Sequence, residues 1–189
     1  MYNREEAALR AEKATTFGVG MCQLWTREIF GAPSAGDRDR DGDADALDGW
    51  LSEPSAHRHP EDRNPPRGVP VSFNGGSRGF GHRAVSLGNG KIRSTDMSGS
   101  YYTPGRIGTC TIADIEKAMG VRYLGWSNTI TGQVIPMPPP PAPPKPKVTR
   151  GKVVDQLLRR ITKAQAAPGS QREKLLTRAE RVLQRIKPL

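Results

Sequence analysis

The sequence predicts an α+β domain, with N-terminal helices packed on an antiparallel sheet, followed by a proline-rich linker and a C-terminal helical hairpin. Three observations predict it. Amphipathic helical segments come first, strand-like runs joined by a glycine turn follow, and a proline cluster separates both from two further helical stripes. The chain has 189 residues, enough for one modest core plus extensions but not for two full domains. Only 35% of residues are apolar, and no run approaches the roughly 20 apolar positions needed to cross a bilayer, which excludes a membrane-spanning class.

The opening stretch, MYNREEAALRAEK, is charged and lacks the apolar run of a secretory signal, so no leader is expected. Asn3 with Glu6 forms a capping box for a helix over residues 4–14. The glycine-flanked turn Phe17-Gly-Val-Gly20 leads into a second helix from Met21 to Phe30, stopped before Ala32-Pro33. Strand-like runs follow at Val69–Phe73, His82–Leu87 and Lys91–Thr95. The last two are joined by Gly88-Asn-Gly90, whose residues suit a tight hairpin turn. A short helix at Ile112–Met119 precedes a last strand at Arg122–Trp126, completing a domain over residues 1–135.

Residues 136–150 form the linker. Its core, Pro138-Pro-Pro-Pro-Ala-Pro-Pro-Lys-Pro146, favours an extended polyproline conformation and reads as a semi-rigid spacer, with a ligand for a proline-binding domain as the competing reading. Beyond it, over residues 151–189, Val153, Val154, Leu157, Leu158 and Ile161 form one helical stripe. Leu175, Leu176, Ala179, Val182, Leu183 and Ile186 form another. Helices are expected over 152–164 and 171–186, the second opened by a Ser170/Glu173 capping box.

Charge divides the chain at the linker. Residues 1–144 hold sixteen basic and sixteen acidic side chains, whereas residues 145–189 hold thirteen basic and three acidic, so the net charge of +10 belongs to the tail. Arg159, Arg160, Lys163, Arg178, Arg181 and Arg185 are its candidate surface-binding residues, suited to an anionic cell-wall polymer, a membrane surface or nucleic acid.

Two cysteines make no disulfide framework. Cys22 opens its helix directly after the glycine turn, where unpaired N–H groups and the helix dipole favour a thiolate nucleophile; a small core side chain is the bland alternative. His82 opens a strand among glycines that leave its edge accessible. The partner strand supplies Ser94 and Asp96, which period-2 alternation places on one face, able to orient the imidazole across the hairpin. Nucleophile, base and orienting group are the parts of a thiol-protease triad.

In their order and contexts, Gly20-Met-Cys22-Gln-Leu-Trp25, Pro65-Pro-Arg-Gly68-Val-Pro-Val-Ser-Phe73, Gly81-His82 through Gly90, Ser94-Thr95-Asp96 and Tyr123-Leu-Gly-Trp126 resemble the papain-like NlpC/P60 and CHAP peptidoglycan hydrolases. The resemblance is to endolysin-like members from phages of actinobacteria and covers residues 5–135. It implies a papain-like fold, Cys22 as nucleophile, His82 as general base and a polar third residue. The chain departs from the family where many members carry a second histidine, near Ser94. Asp96 is the better third residue, because a carboxylate both orients and stabilises an imidazolium; Ser94 is the alternative. Oxyanion donors are expected at the Cys22 backbone N–H and a nearby side chain, Gln23. The implied function is cleavage of an amide bond in peptidoglycan, by an endolysin released from the host cytoplasm or by a virion tail component. The tail would hold wall polymer or phage tail proteins. The alternative is a non-catalytic phage structural or wall-binding protein acting through its basic hairpin.

The segment Asp37-Arg-Asp39-Arg-Asp41-Gly42-Asp43-Ala44-Asp45-Ala46-Leu47-Asp48 carries carboxylates at positions 1, 3, 5, 9 and 12, glycine at 6 and a carbonyl at 7, the EF-hand calcium spacing. Six aspartates this close repel one another unless a cation sits among them, so a structural Ca2+ is expected there, weakened by Asp in place of Glu at position 12. His57 and His59 lack a third ligand for zinc. Cys110 reads as a buried small side chain, and Trp25, Trp50 and Trp126 as core.

Overall fold

The computed structural model describes residues 1–140, 150–166 and 168–186. The chain divides into two compact units, Met1–Pro140 and Pro141–Leu189. The linker falls, from 141 to 149, outside the described residues.

The first unit is α+β. Its sheet has six strands, β1 (Arg58–Pro60), β2 (Pro70–Gly75), β3 (His82–Gly88), β4 (Lys91–Ser98), β5 (Tyr101–Cys110) and β6 (Val121–Ser127), in the spatial order β1-β6-β2-β3-β4-β5. Every neighbouring pair is antiparallel. A two-stranded ribbon of β7 (Thr129–Ile130) and β8 (Gln133–Val134) follows. The helices are α1 (Arg4–Lys13), α2 (Cys22–Phe30), α3 (Ala46–Leu51) and α4 (Ile112–Met119).

Successive side chains of a strand point to opposite faces, so Ala84 and Val85 report two cores. Ala84 packs in a cluster with Phe73, Ile92 and the α4 residues Ile112 and Ile115. Val85 packs with Ala7 and Ala11 of α1 and Trp25, Ile29 and Phe30 of α2. The sheet is therefore covered by α4 on one face and by α1 and α2 on the other. The α1 capping box of Asn3 and Glu6 forms as expected, and α4 has one from Thr111 and Asp114.

Helix α3 and the strands β1, β5, β7 and β8 are not among the elements expected from the sequence, and two of these have a clear local cause. Pro104, Gly105 and Gly108 break the strand pattern of β5, yet β5 forms because it is an edge strand, where a missing N–H costs no ladder bond. The α3 helix lies inside the segment read as a metal loop. Its N-cap is Asp45, whose side chain accepts from the Leu47 and Asp48 amides in a capping box with Asp48.

The second unit holds α5 (Arg150–Gln165) and α6 (Gly169–Ile186), which pack on each other. Arg159, Arg160, Lys163, Arg178 and Arg181 are exposed, while the side chain of Arg185 lies outside the described set. Of the predicted apolar stripes, Leu157 is buried and Leu158 and Leu176 are exposed. Most of the others also fall outside that set. Among the described residues, no helix is long and apolar enough to cross a membrane.

Candidate active site

Cys22 is the first residue of α2. Met21 precedes it as an N-cap that makes no side-chain hydrogen bond, so the first-turn N–H groups of the helix lack the usual partner. Burial dominates the thiol, pushing it up to about 11; the backbone amides of Arg83, Gln23 and Cys22 itself act the other way, and the Asp96 charge adds to the rise. Burial thus overrides the helix dipole, and the expected resting thiolate is replaced by a neutral thiol. The α2 helix packs on β3, the strand that His82 opens and Arg83 follows. The Arg83 amide is a candidate oxyanion donor the sequence did not reveal, because only the packing of α2 on β3 brings it to the sulfur.

His82 opens β3 as expected, opposite Phe73 of β2. It is 5% exposed, and burial pushes its imidazole down to about 4. His82 Nε2 lies 2.7 Å from Ser94 Oγ. The same hydroxyl donates to the Thr95 carbonyl at 3.0 Å. With the hydroxyl hydrogen on the Thr95 carbonyl, Ser94 accepts from Nε2–H and Nδ1 keeps its lone pair; in the other tautomer Ser94 donates to Nε2.

Asp96, the favoured third residue, makes different bonds. Strand alternation fails at the register shift between Thr95 and Met97, and Asp96 takes a left-handed backbone conformation with φ of 57°. Its carboxylate accepts from the backbone N–H of Gly20 at 3.0 Å and of Gly105 at 2.7 Å. The group hydrogen-bonded to His82 is Ser94, the alternative.

The Gln23 side-chain amide, the expected oxyanion donor, is buried and has no hydrogen-bond partner among the described residues. It lies beside Gly49 of α3 together with Arg83 Nη1; a Cβ at Gly49 would sit 2.6 Å from both Arg83 Nη1 and Gln23 Oε1. Arg83 and Glu53 have fully buried side chains joined at 2.5 Å. Arg83 Nε also donates to Ser72 Oγ, and Glu53 accepts from the Thr131 and Gly132 amides. This polar cluster supports α2, α3 and β3 from beneath the site.

In the acidic loop, ligand atoms of Asp37, Asp39 and Asp48 lie within 4.8 Å of one another. The backbone wraps them: Asp37 accepts from the Arg40 and Gly42 amides, Asp39 from Asp41, Asp41 from Asp43, and the buried Asp48 from Arg38 and Asp39. Asp45 instead caps α3, and burial with the nearby Asp48 and Asp41 charges pushes it up to about 6. Asp41 and Asp43 stand exposed outside the convergent trio, so three of the six aspartates gather and three do not. The loop reaches the site through main chain. Leu47 N–H donates to the Phe80 carbonyl at 3.0 Å, two residues before His82.

The minor candidates take structural places. The Cys110 thiol faces the Ile92 carbonyl at 3.7 Å and is pushed up to about 12, chiefly by burial. His59 stacks on Trp126 with ring centroids 3.7 Å apart. Trp25, Trp50 and Trp126 are all buried. Compared with known proteins, the chain matches no family model, no curated protein and no solved structure.

Proposed function

We propose that Met1–Pro140 is a papain-like cysteine peptidase or amidase of the NlpC/P60 and CHAP type. It cleaves an amide bond of bacterial peptidoglycan, as a phage endolysin or tail-associated lysin. The observation that carries the reading is the Cys22 thiol at an uncapped helix start, on a helix packed against the strand that His82 opens, with His82 Nε2 engaged by Ser94.

In this mechanism His82 Nδ1 takes the Cys22 proton as sulfur attacks the scissile carbonyl. Ser94 Oγ, committed to Thr95, accepts from Nε2–H and steadies the imidazolium. The backbone N–H groups of Cys22, Gln23 and Arg83 face the developing oxyanion. The imidazolium protonates the leaving amine, giving a thioester acyl-enzyme. Water attacks with its proton going to Nδ1, and the acid product leaves with the thiol restored.

Asp37, Asp39 and Asp48 suit a hard divalent cation such as Ca2+, being oxygen donors converged in a tight loop. The cation would neutralise their repulsion and brace α3; it takes no part in the reaction. The exposed cations of α5 and α6 would hold the protein to anionic wall polymer or to tail proteins.

A second reading has its own observation: Cys22 and His82 are both buried and held neutral, as befits a papain-like body that has lost turnover and works through its basic hairpin. Release of soluble fragments from purified actinobacterial peptidoglycan separates the two. The hydrolase reading expects release by the wild type and none by Cys22→Ala, with new termini identifying the bond. Absence of release by folded wild-type protein on several wall types would transfer the function to the hairpin.

A further inference from the structure

We propose that Asp96 is a positioning residue for the nucleophile: its carboxylate clamps the turn before Cys22 to the edge of the sheet, while Ser94 alone serves the imidazole. The inference rests on the cysteine hydrolase reading for its catalytic consequence. Its geometry stands independently.

Asp96 is 3% exposed, and its two carboxylate oxygens accept from two separate segments, Gly20 two residues before Cys22 and Gly105 of β5. The same two segments are tied again by Phe17 N–H donating to the Gly105 carbonyl at 3.0 Å, and nearby by Ile107 N–H donating to the Thr15 carbonyl at 2.9 Å. Residues 15–20 are thus laced to β5, with Asp96 as the knot nearest the nucleophile. The left-handed backbone at Asp96 costs energy for a non-glycine residue and interrupts β4 at the place where the side chain must leave its face to reach both amides. Neither side of this arrangement involves His82, whose Nε2 is taken by Ser94.

The test uses the full chain with Asp96→Asn and Asp96→Gly, since asparagine and glycine tolerate the left-handed conformation and keep the fold accessible where alanine strains it. Asparagine keeps one acceptor oxygen but turns an NH2 toward the other amide, so it holds one clamp bond and glycine holds none. Ser94→Ala is the comparison. Three readouts are taken: fragment release, the pH profile of Cys22 alkylation by iodoacetamide, and 15N NMR of His82, which reports its tautomer.

The expected result is a fall in turnover of about 10- to 100-fold in Asp96→Gly, smaller in Asp96→Asn, with KM changed little, because a displaced nucleophile loses attack geometry. The alkylation profile moves to lower pH in both variants as a negative charge is removed. The His82 signature stays as in the wild type in both and is disturbed in Ser94→Ala. The proposal is overturned if the Asp96 variants disturb the His82 signature as Ser94→Ala does, or if turnover and alkylation match the wild type. Should wild-type protein release no fragments, the hydrolase reading fails by itself. The alkylation and NMR arms then decide the positioning role.

Discussion

His82 and Arg83 are adjacent and buried at the start of β3. His82 ordinarily titrates near 6.5 and is held at about 4. The unfolded chain takes up the proton below 6.5, whereas the folded imidazole resists it until about 4. The stability is whole above 6.5 and drains as pH falls between those values, by up to about 1.4 kcal/mol per pH unit. Thermal unfolding between pH 7 and 4.5 should show that slope in the wild type and a flatter one in His82→Gln. The buried Arg83 side chain is paired with Glu53. Arg83→Met leaves a buried, unpaired carboxylate and should cost about 3–5 kcal/mol in denaturant unfolding. The histidine and its hydroxyl partner were legible in the sequence as residues of one hairpin. Which of Ser94 and Asp96 meets the ring was not, since a register shift after Thr95 defeats strict alternation.

Among the elements, α3 connects the acidic loop to the site. Its first turn is capped by Asp45 and Asp48, its Leu47 N–H holds Phe80 before His82, and its Gly49 lies against Gln23 and Arg83. Alanine normally strengthens a helix by about 1 kcal/mol over glycine. At position 49 the added methyl would meet Arg83 Nη1 and Gln23 Oε1 at 2.6 Å, so Gly49→Ala should instead destabilise by about 1–3 kcal/mol and slow Cys22 alkylation or turnover. If a cation binds the loop, chelation should lower the melting temperature and activity together, with recovery on Ca2+ addition. Asp48→Asn should blunt both responses, and isothermal titration with Ca2+ would read the binding itself. The acidic spacing was visible in the sequence. The helix within it was not, because its capping box is made from the same aspartates that suggest ligands.

At the scale of the whole molecule, charge separates a neutral first unit from a basic tail. Binding that depends on the tail should weaken steeply with salt, since each cation paired with an anionic polymer releases a counterion. Sedimentation of the full chain with purified walls at about 50 and 200 mM salt should show that loss. A chain ending at Pro140 should sediment weakly at both, while retaining hydrolysis of soluble wall fragments. Equal sedimentation of the two chains would remove the tail from the binding.

The sequence by itself determined what is local. Helix starts follow from capping pairs such as Asn3 and Glu6, the hairpin from Gly88-Asn-Gly90, and the charge boundary from composition, because each depends on residues a few positions apart. Tertiary structure alone decided the contents of the site. The α2 helix packs on β3, burial pushes the Cys22 thiol up and the His82 imidazole down, and the Gly20 and Gly105 amides bind Asp96 where it leaves its strand pattern. Those effects depend on desolvation and on contacts between segments far apart in the chain, which periodicity does not encode.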